Sequence, residues 1–319
     1  MKRIAVLTSG GDCSGMNAAI KGVAVEAFMN NVEVVSILEG YKGLVNGNCK
    51  KIDFEVIEDA VQKGGTFLMT SRYPQFKEEH VFKKALNVIA KNGIEGLVVI
   101  GGNGSMRGAE KLYKAGVPVV GIPASIDNDI YGTDIALGVD TALNVIIQAL
   151  DIIRYTASSH GRAFVVETMG RKCGYLAATT ALASGADAVL IPEVKFDVDS
   201  IIERLGKEHK SGKTYSIIIV SEGTRATGEM LGKLRDAGFD TRMTVLGHIQ
   251  RGGSPTVFDR LLAFRFAVKA TESLLKGKYG CMAGLNRSRV TCTSIEKVVT
   301  HKRGIEDKKL LQFAKKKSR

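Results

Sequence analysis

The chain has 319 residues, of which 45% are hydrophobic and 24% charged, a composition typical of a soluble globular protein with one large or two smaller α/β lobes. No apolar run reaches about 18 residues, which argues against a transmembrane helix, and the opening MKRIAVLTSGGD is better interpreted as a buried first strand than as a signal peptide. The formal charge of +12 would suit a protein that binds nucleic acid. That class is disfavoured, because the lysines are dispersed, only 6% of residues are aromatic and no nucleic-acid motif is present. A small polyanionic ligand would also explain the positive charge.

The cysteines point to a reducing compartment. There are five of them, at positions 13, 49, 173, 281 and 292, and no two form a CxxC pair. An odd, scattered set argues against both a disulfide framework and a zinc site. We therefore expect a cytoplasmic protein.

Short runs rich in Val and Ile are predicted to be strands, and they alternate with helical patterns such as residues 15–30 and residues 80–93. The second helical pattern ends on Gly93, as helices often do. Because most of the strand runs are continuously apolar, they should be buried on both faces, as in parallel sheets. This order predicts an α/β fold whose ligands bind at the carboxyl ends of the strands. The predicted strands are Arg3–Thr8, Val32–Leu38, Gly96–Gly101, Val117–Pro123, Ala163–Thr168, Ala188–Glu193 and Tyr215–Glu222.

A glycine-rich turn follows the first predicted strand, in the segment TSGGDCSGMNAAI at residues 8–20. Gly10 and Gly11 permit a tight turn, and the helix that should begin near Met16 offers free backbone amides to an anion. The segment matches neither the Rossmann GxGxxG pattern nor the GxxxxGK[ST] pattern, so NAD enzymes and P-loop kinases are disfavoured. By itself the turn could be a simple strand-to-helix connection.

A second glycine turn, GGNGS at residues 101–105, follows another predicted strand. Gly101, Gly102 and Gly104 leave no side chain to obstruct a phosphate chain, and Ser105 could donate its hydroxyl. Two such turns in one α/β lobe predict a cradle for nucleotide phosphates. At its centre, where a magnesium ion arriving with those phosphates would favour a carboxylate, the sequence has the amide of Asn103.

Three aspartates occur in the segment PASIDNDIYGTD, residues 123–134. Asp127 and Asp129 could divide the chemistry, one accepting a proton from an attacking hydroxyl and the other helping to hold magnesium. The alternative is that these aspartates, together with Asp134, belong to a turn that only caps a helix.

Cationic side chains beside glycines or strand ends could bind phosphate. They are Arg72, Arg162, Arg171, Arg242 and Arg251, with His248 near the last.

A set of motifs occurs in order from residue 1 to about residue 290: LTSGGD, GMNAAI, GG-x-GS, IDND with GTD, V-E-T-MGR, and TVLGH-QRGGSP with D-R. Together they resemble the bacterial ATP-dependent 6-phosphofructokinase family. The resemblance implies two doubly wound lobes of mainly parallel sheet, with the active site between them, in a homotetramer. It implies a larger ATP-binding lobe at residues 1–138 and 251–303, and a smaller sugar-phosphate lobe at residues 139–250 and 304–319.

The implied reaction moves a phosphoryl group from MgATP to the 1-hydroxyl of fructose 6-phosphate, with Asp127 as general base and Arg72 and Arg171 stabilising the transition state. Asn103 and Asp129 would face magnesium. Arg162 and Arg242 would reach the site of a neighbouring subunit. The residues implied at ATP are Gly11, Tyr41, Arg72, Gly102, Asn103, Gly104 and Ser105. Those implied at the transferred phosphate and the sugar phosphate are Ser125, Asp127, Asp129, Arg162, Met169, Gly170, Arg171, Glu222, Arg242, His248 and Arg251.

An allosteric site for ADP or phosphoenolpyruvate is also implied, but three arginines of the family are replaced, by Lys21, Val25 and Ser211. We therefore expect weakened or altered effector control. The residues that correspond to effector-site positions are Lys21, Arg154, Gly185, Asp187 and Lys213.

Two alternatives within the fold stay open. Pyrophosphate-dependent members carry bulkier residues in the two phosphate loops, whereas Gly104 and Ala124 are small and leave room for ATP. A catalytically weakened regulatory paralogue is suggested by Asn103, because the family has an aspartate there. Losing that carboxylate should lower turnover by roughly one to three decades while leaving folding intact.

Overall fold

The computed structural model describes residues 1–319, which divide into two compact units. Its helices are all too short or too polar to cross a membrane. Which ligand each unit binds stays a prediction. The first unit comprises residues 1–126, 130–141 and 251–302, and the second comprises residues 127–129, 142–250 and 303–319.

Strands and helices alternate along the chain. The strands are β1 (Arg3–Ser9), β2 (Glu33–Ile37), β3 (Cys49–Lys51), β4 (Gly96–Gly101), β5 (Val119–Pro123), β6 (Ala163–Thr168), β7 (Ala188–Leu190), β8 (Ser216–Ser221), β9 (Thr241–Val245), β10 (Cys281–Asn286) and β11 (Arg289–Ser294). The α-helices are α1 (Met16–Met29), α2 (Gly40–Asn46), α3 (Phe54–Ala60), α4 (Glu79–Lys91), α5 (Asn103–Lys114), α6 (Val139–His160), α7 (Tyr175–Ser184), α8 (Val198–Lys210), α9 (Thr227–Asp236), α10 (Val257–Leu275), α11 (Ile295–Thr300) and α12 (Lys308–Lys317). Short 3-10 helices occupy Pro74–Lys77, Glu222–Thr224 and Gly247–Arg251.

The first unit contains a seven-stranded sheet in the order β11-β10-β5-β4-β1-β2-β3. The five strands from β10 to β2 are parallel to their neighbours, and antiparallel β3 and β11 form the two edges. Every residue of β4 and β5 is buried, as expected for apolar strands covered by helices on both faces. The two helices of this unit that pack most extensively against each other are α1 and α10.

The second unit contains a four-stranded parallel sheet in the order β7-β8-β6-β9. One part of its core is formed by apolar side chains of β6, β7 and β8 together with α8 and α9. Representative members are Val165, Leu190, Ile201, Ile218 and Met230. With both units built from helices and mainly parallel sheets, the predicted α/β class is confirmed.

The predicted strands are all present, and two of them, Gly96–Gly101 and Ala163–Thr168, have the predicted bounds. The predicted strand at residues 188–193 ends early, at Leu190. Four strands were not predicted: β3, β9, β10 and β11. Two of these, β3 and β11, are antiparallel edge strands, and β9 is an edge strand with exposed residues, so none of the three needs a continuous apolar run.

A buried carboxylate joins the start of α6 to α10. Asp259 is fully buried, and its two oxygens accept hydrogen bonds from the Gly138 amide at 3.0 Å and the Thr141 amide at 2.9 Å. The Thr141 hydroxyl donates a third at 2.6 Å. Asp259 belongs to the D-R motif, and the structure gives that motif a role in holding the first unit together.

We predict that Asp259→Ala lowers the free energy of unfolding by about 3 kcal/mol, because it leaves three buried donors without their charged acceptor. Thermal unfolding measures the effect. The matched control is Asp53→Ala, which removes an exposed N-cap of α3 and should cost about 1 kcal/mol. Equal losses for the two variants would contradict the structural role assigned to Asp259.

Candidate active site

Three strand ends meet at one edge of the sheet in the first unit. The register pairs Ser9 of β1 with Gly101 of β4, and Gly101 with Pro123 of β5. The two glycine turns and the segment that begins at Ala124 therefore leave the sheet side by side. This is the edge at which open parallel sheets bind ligands.

The turn after β1 is fixed by hydrogen bonds to the segment that carries Arg72. Gly10 has a φ of +95°, which favours glycine. Its amide donates to the Ser71 carbonyl at 3.2 Å, and its carbonyl accepts from the Thr70 hydroxyl at 3.1 Å. The exposed side chain of Arg72 is thus anchored beside the first glycine turn.

Arg251 lies against the same turn. Its guanidinium fills the space beside Gly11, where a Cβ would collide with it, and lies 3.8 Å from the Asp12 carboxylate. The segment that follows is held by the Ser14 hydroxyl, which donates to the Gly253 carbonyl at 2.8 Å. The Arg251 side chain is only 15% exposed, and its buried Nε has no hydrogen-bond partner. A half-buried cation with an unpaired donor is suited to an anionic ligand.

The second turn is bonded to the first through Ser105. Its hydroxyl donates to the Ser9 carbonyl at 2.7 Å, and its own carbonyl accepts from the Tyr41 hydroxyl at 2.6 Å. Tyr41 is 4% exposed and stacks on Phe76 with ring centroids 4.3 Å apart. Burial raises the pKa of the Tyr41 phenol. Tyr41 therefore supports the turn from beneath, and its predicted contact with ATP stays a prediction.

Asn103 is the first residue of α5, directly after Gly102. The first turn of this helix contains no acidic residue, so its N-terminus offers backbone amides with no side-chain carboxylate beside them. A Cβ on Gly102 would lie 3.6 Å from the Ala124 carbonyl and 3.9 Å from the Ser125 Cβ, which brings Ser125 close to the turn. Gly104 is exposed, with open space around it.

Magnesium can be tested against the donors that are present. The chain has no cluster of three or more His, Cys, Asp or Glu side chains that could hold a metal on its own. Magnesium usually takes one or two carboxylates and completes its coordination with substrate phosphates and water. Asp129 carries a half-buried carboxylate and Asn103 an amide oxygen, and both are oxygen donors of the kind that magnesium takes.

Three strand ends also meet in the second unit. Thr168 of β6 pairs with Ser221 of β8, and Glu167 pairs with Val245 of β9. The loops that follow carry the predicted sugar-phosphate residues. They are Met169, Gly170 and Arg171 after β6, Glu222 after β8, and His248 in the 3-10 helix after β9.

Gln250 holds two of these loops together, and sequence reasoning did not single it out. It is 1% exposed, and its carbonyl oxygen accepts from the Met169 amide at 3.1 Å while its amide donates to the Gly247 carbonyl at 2.9 Å. The Ser221 hydroxyl fixes the third loop by donating to the Gly170 carbonyl at 2.6 Å. The only signal for Gln250 was its place in the QRGGSP motif.

The two aspartates of the IDND motif flank a buried residue. Asn128 is 1% exposed with a φ of +51°, and Asp127 and Asp129 on either side are half-buried. Burial raises the pKa of the Cys173 thiol to about 12, and the negative charge of Asp129 contributes to that rise. The Asp129 carboxylate is therefore one of the charges near the Cys173 thiol, in the loop that follows Arg171.

Arg162 and Arg242 lie at the opposite end of the sheet from these loops. Arg162 precedes β6, and Arg242 is the second residue of β9. Both bind one carboxylate, because Asp240 accepts from Arg162 at 2.7 Å and from Arg242 at 2.5 Å. The hydrogen bond from Arg162, followed by the charges of both arginines, lowers the pKa of Asp240. The structure thus does not bring these arginines together with Met169 and Glu222 of the same chain.

Some of the predicted effector residues share a cavity of about 590 Å³ in the second unit. Asp187 and Lys213 line it and form an ion pair, and Lys213 also binds Glu208 at 2.9 Å. Arg154 donates instead to the Ser184 carbonyl, beside Gly185. The rest of the lining is Arg204, Lys207, Glu208, Ser211 and Lys317. Lys21 belongs to the first unit, where it binds Glu58 at 2.6 Å.

Comparison with known proteins finds close relatives. The family model described as phosphofructokinase matches residues 3–274. The chain is 47% identical over 315 residues to an ATP-dependent 6-phosphofructokinase of Listeria welshimeri, covering 98% of both chains. It is 48% identical over 307 residues to one of Bacillus cytotoxicus, covering 96% of both.

Solved structures share the fold. A Pichia pastoris phosphofructokinase in the T-state superposes with a TM-score of 0.88 at 35% identity, over 93% of this chain. This chain spans only 35% of the length of that yeast chain. A pyrophosphate-dependent phosphofructokinase of Marinobacter aquaeolei gives a TM-score of 0.88 at 19% identity, over 100% of this chain and 92% of the other. At that identity the likeness concerns the fold alone.

We predict that Gly11→Ala displaces the Arg251 guanidinium and weakens binding of fructose 6-phosphate about tenfold or more, the loss expected for a charge-assisted hydrogen bond. Titration calorimetry measures the dissociation constant. Gly232→Ala is the matched control, because a Cβ at that position on α9 meets nothing within 4 Å. An unchanged dissociation constant in Gly11→Ala would remove Arg251 from the binding site.

Proposed function

Because the chain belongs to the phosphofructokinase family, we propose that it transfers the terminal phosphoryl group of ATP to the 1-hydroxyl of fructose 6-phosphate, giving fructose 1,6-bisphosphate and ADP in glycolysis. The observation that carries the proposal is identity of 47% over nearly the whole length with a relative named for this activity. A glycolytic role supports a cytoplasmic location.

The first unit is proposed to bind ATP. Its paired glycine turns offer backbone amides to the phosphates, and the bond from Ser105 to Ser9 keeps the turns at a fixed separation. Arg72 is exposed beside these turns and can follow the charge of the transferred group. Gly11, Gly102 and Gly104, three of the other predicted contacts, lie in the same two turns.

The second unit is proposed to bind the sugar phosphate through Met169, Gly170, Glu222 and His248, which follow neighbouring strands. Arg171 is exposed and available to the moving charge. Arg251 would bind the 6-phosphate, since a guanidinium can donate two parallel hydrogen bonds to phosphate.

Chemistry at the 1-hydroxyl needs a base and a positioned phosphoryl group. Asp127 would accept the hydroxyl proton as the oxygen forms its bond to the γ-phosphorus and the bond from that phosphorus to ADP breaks. Ser125, beside the second turn, would hold the transferred group. Magnesium, held by Asp129, Asn103 and the phosphates, would supply positive charge at the β- and γ-phosphates.

ATP rather than pyrophosphate is the proposed donor. Gly104 is exposed and has open space around it, which leaves room for a nucleotide beyond the phosphates. Ala124 supports this less strongly, because it is buried and contacts the second turn through its backbone.

A homotetramer with shared active sites is also proposed. Arg162 and Arg242 lie at the far end of their own sheet, which supports the prediction that they serve a neighbouring subunit. Large apolar side chains are exposed on α6 and α10, where a second copy could cover them; they are Ile152, Tyr155, Val257 and Leu261. Sedimentation at monomer mass would contradict this assembly.

Altered effector control is supported by the cavity around Asp187. Lys213 is engaged by Asp187 and Glu208, and Ser211 brings no cation to the lining. ADP or phosphoenolpyruvate would have to compete with these acidic groups for Lys213. A strong shift of the fructose 6-phosphate saturation curve by either effector would contradict weakened control.

We predict a turnover with ATP that exceeds turnover with GTP or pyrophosphate, measured in a coupled assay with fructose 6-phosphate as acceptor. Asp127→Asn should lower kcat by about 10²- to 10⁴-fold, the usual contribution of a general base, with little change in KM. Asp236→Asn, at an exposed carboxylate at the end of α9, is the control and should leave kcat unchanged. A higher rate with pyrophosphate would favour the pyrophosphate-dependent alternative.

Asn103 favours a second candidate, a catalytically weakened paralogue that acts as a regulatory subunit. We predict that Asn103→Asp raises kcat by at least about tenfold and lowers the magnesium concentration needed for half-maximal rate. Stability should be unchanged or slightly higher, because a carboxylate in the first turn of α5 favours the helix. A kcat that the substitution leaves unchanged would show that the amide does not limit this enzyme.

A further inference from the structure

Two cysteines outside the proposed active site share one face of the β10–β11 hairpin. The antiparallel register pairs Cys281 with Ser294 and Ala283 with Cys292. Cys281 and Cys292 are therefore diagonal neighbours whose side chains point to the same side of the sheet. Both thiols are free.

Each thiol also has a polar neighbour of its own. The Cys292 Sγ lies 3.2 Å from the Ser273 hydroxyl of α10. Cys281 is buried, and its Sγ faces the Lys278 carbonyl at 3.5 Å, whereas Cys292 is exposed on the edge strand β11.

The surroundings favour a thiolate on Cys292. The hydrogen bond from Cys281 lowers the pKa of Cys292 to about 6, although burial of part of the group opposes the change. The Ser273 hydroxyl and the charges of Lys269 and Lys278 act in the same direction. The shared hydrogen bond and burial raise the pKa of Cys281, which stays a thiol. An exposed thiolate with a thiol beside it is the arrangement of an oxidation-sensitive pair.

We propose that Cys292 and Cys281 form a reversible redox site, at which a peroxide oxidises Cys292 and Cys281 then closes a disulfide within the chain. The Cys292 thiolate attacks one peroxide oxygen, the O–O bond breaks, and a sulfenic acid and hydroxide form. The Cys281 sulfur then attacks the Cys292 sulfur, the S–O bond breaks, and the hydroxyl leaves as water with the Cys281 proton. Counted from the Cys292 thiolate and the Cys281 thiol, the two sulfurs lose two electrons, and one hydrogen peroxide becomes one hydroxide and one water.

Closing the bridge requires a small movement that this edge can make. Diagonal neighbours in a sheet have Cα atoms about 7–8 Å apart, and a disulfide needs about 4.4–6.8 Å. Because β11 is the last strand of its sheet, its outer side has no partner strand to restrain it.

The β10–β11 hairpin also contacts the loop that follows Asp127 and Asp129, because the Leu285 amide donates to the Thr133 hydroxyl at 3.0 Å.

The test treats the reduced full-length protein with hydrogen peroxide, blocks remaining thiols with N-ethylmaleimide, and maps the peptides by mass spectrometry. We expect two thiols to be lost together, a Cys281–Cys292 cross-linked peptide, and full recovery with dithiothreitol. In Cys281→Ser, Cys292 should instead accumulate as a sulfenic acid that dimedone traps. Cys292→Ser should not react at the same dose.

Cys49→Ser is the matched control, because Cys49 is partly exposed on β3 and burial raises its pKa. This variant should oxidise like the parent protein. Iodoacetamide should alkylate Cys292 at least about tenfold faster than Cys49 at pH 7, with a rate that rises through about pH 6, since the thiolate is the reacting form. A bridge between chains, a bridge to another cysteine, or equal reactivity of Cys292 and Cys49 would overturn the proposal.

Discussion

The parallel register of the strands is the constraint on which the candidate site depends. Ser9, Gly101 and Pro123 are aligned across three neighbouring strands, so each chain segment that leaves this edge begins beside the others. The hydroxyl of Ser105 reaches across to the Ser9 carbonyl and makes the alignment a direct bond between the two glycine turns. The same arrangement recurs at Thr168 in the second unit, where Gln250 and Ser221 bond the loops that follow β6. In both units a regular sheet fixes the positions at which irregular loops begin.

Polar side chains buried under these loops determine their shape. Gln250 and Ser105 are nearly inaccessible to solvent, and each satisfies backbone groups that no helix or strand would satisfy. Exposed residues such as Arg72, Arg171 and His248 are then presented by backbones that these bonds hold. The proposed chemistry is consistent with this division, because phosphoryl transfer depends on the positions of charges more than on covalent groups of the enzyme.

The sequence predicted the inner strands and the turns after them because burial on both faces requires continuous apolar runs, and glycine is required where backbones approach closely. It predicted edge strands poorly, since β9 and β11 are partly exposed and carry no such run. Tyr41 shows another limit. A tyrosine side chain suits a contact with a nucleotide, but only the fold reveals that this ring stacks on Phe76 and that its hydroxyl donates to the Ser105 carbonyl. Arg242 likewise shows no sequence sign that it lies at the far end of its sheet, because β9 was not predicted.

Asn103 combines a structural requirement with a chemical one. As the first residue of α5, directly after the N-cap Gly102, it needs a side chain compatible with a helix start, and an amide meets that requirement without the small helix-dipole stabilisation that a carboxylate adds. The helix N-terminus attracts phosphate through its backbone amides whichever of the two is present. Under the proposed function, what the amide would give up is one negative charge near a divalent cation, an interaction that would exist only with MgATP bound. The proposed cost of Asn103 would therefore fall on catalysis and leave folding and phosphate binding largely unaffected.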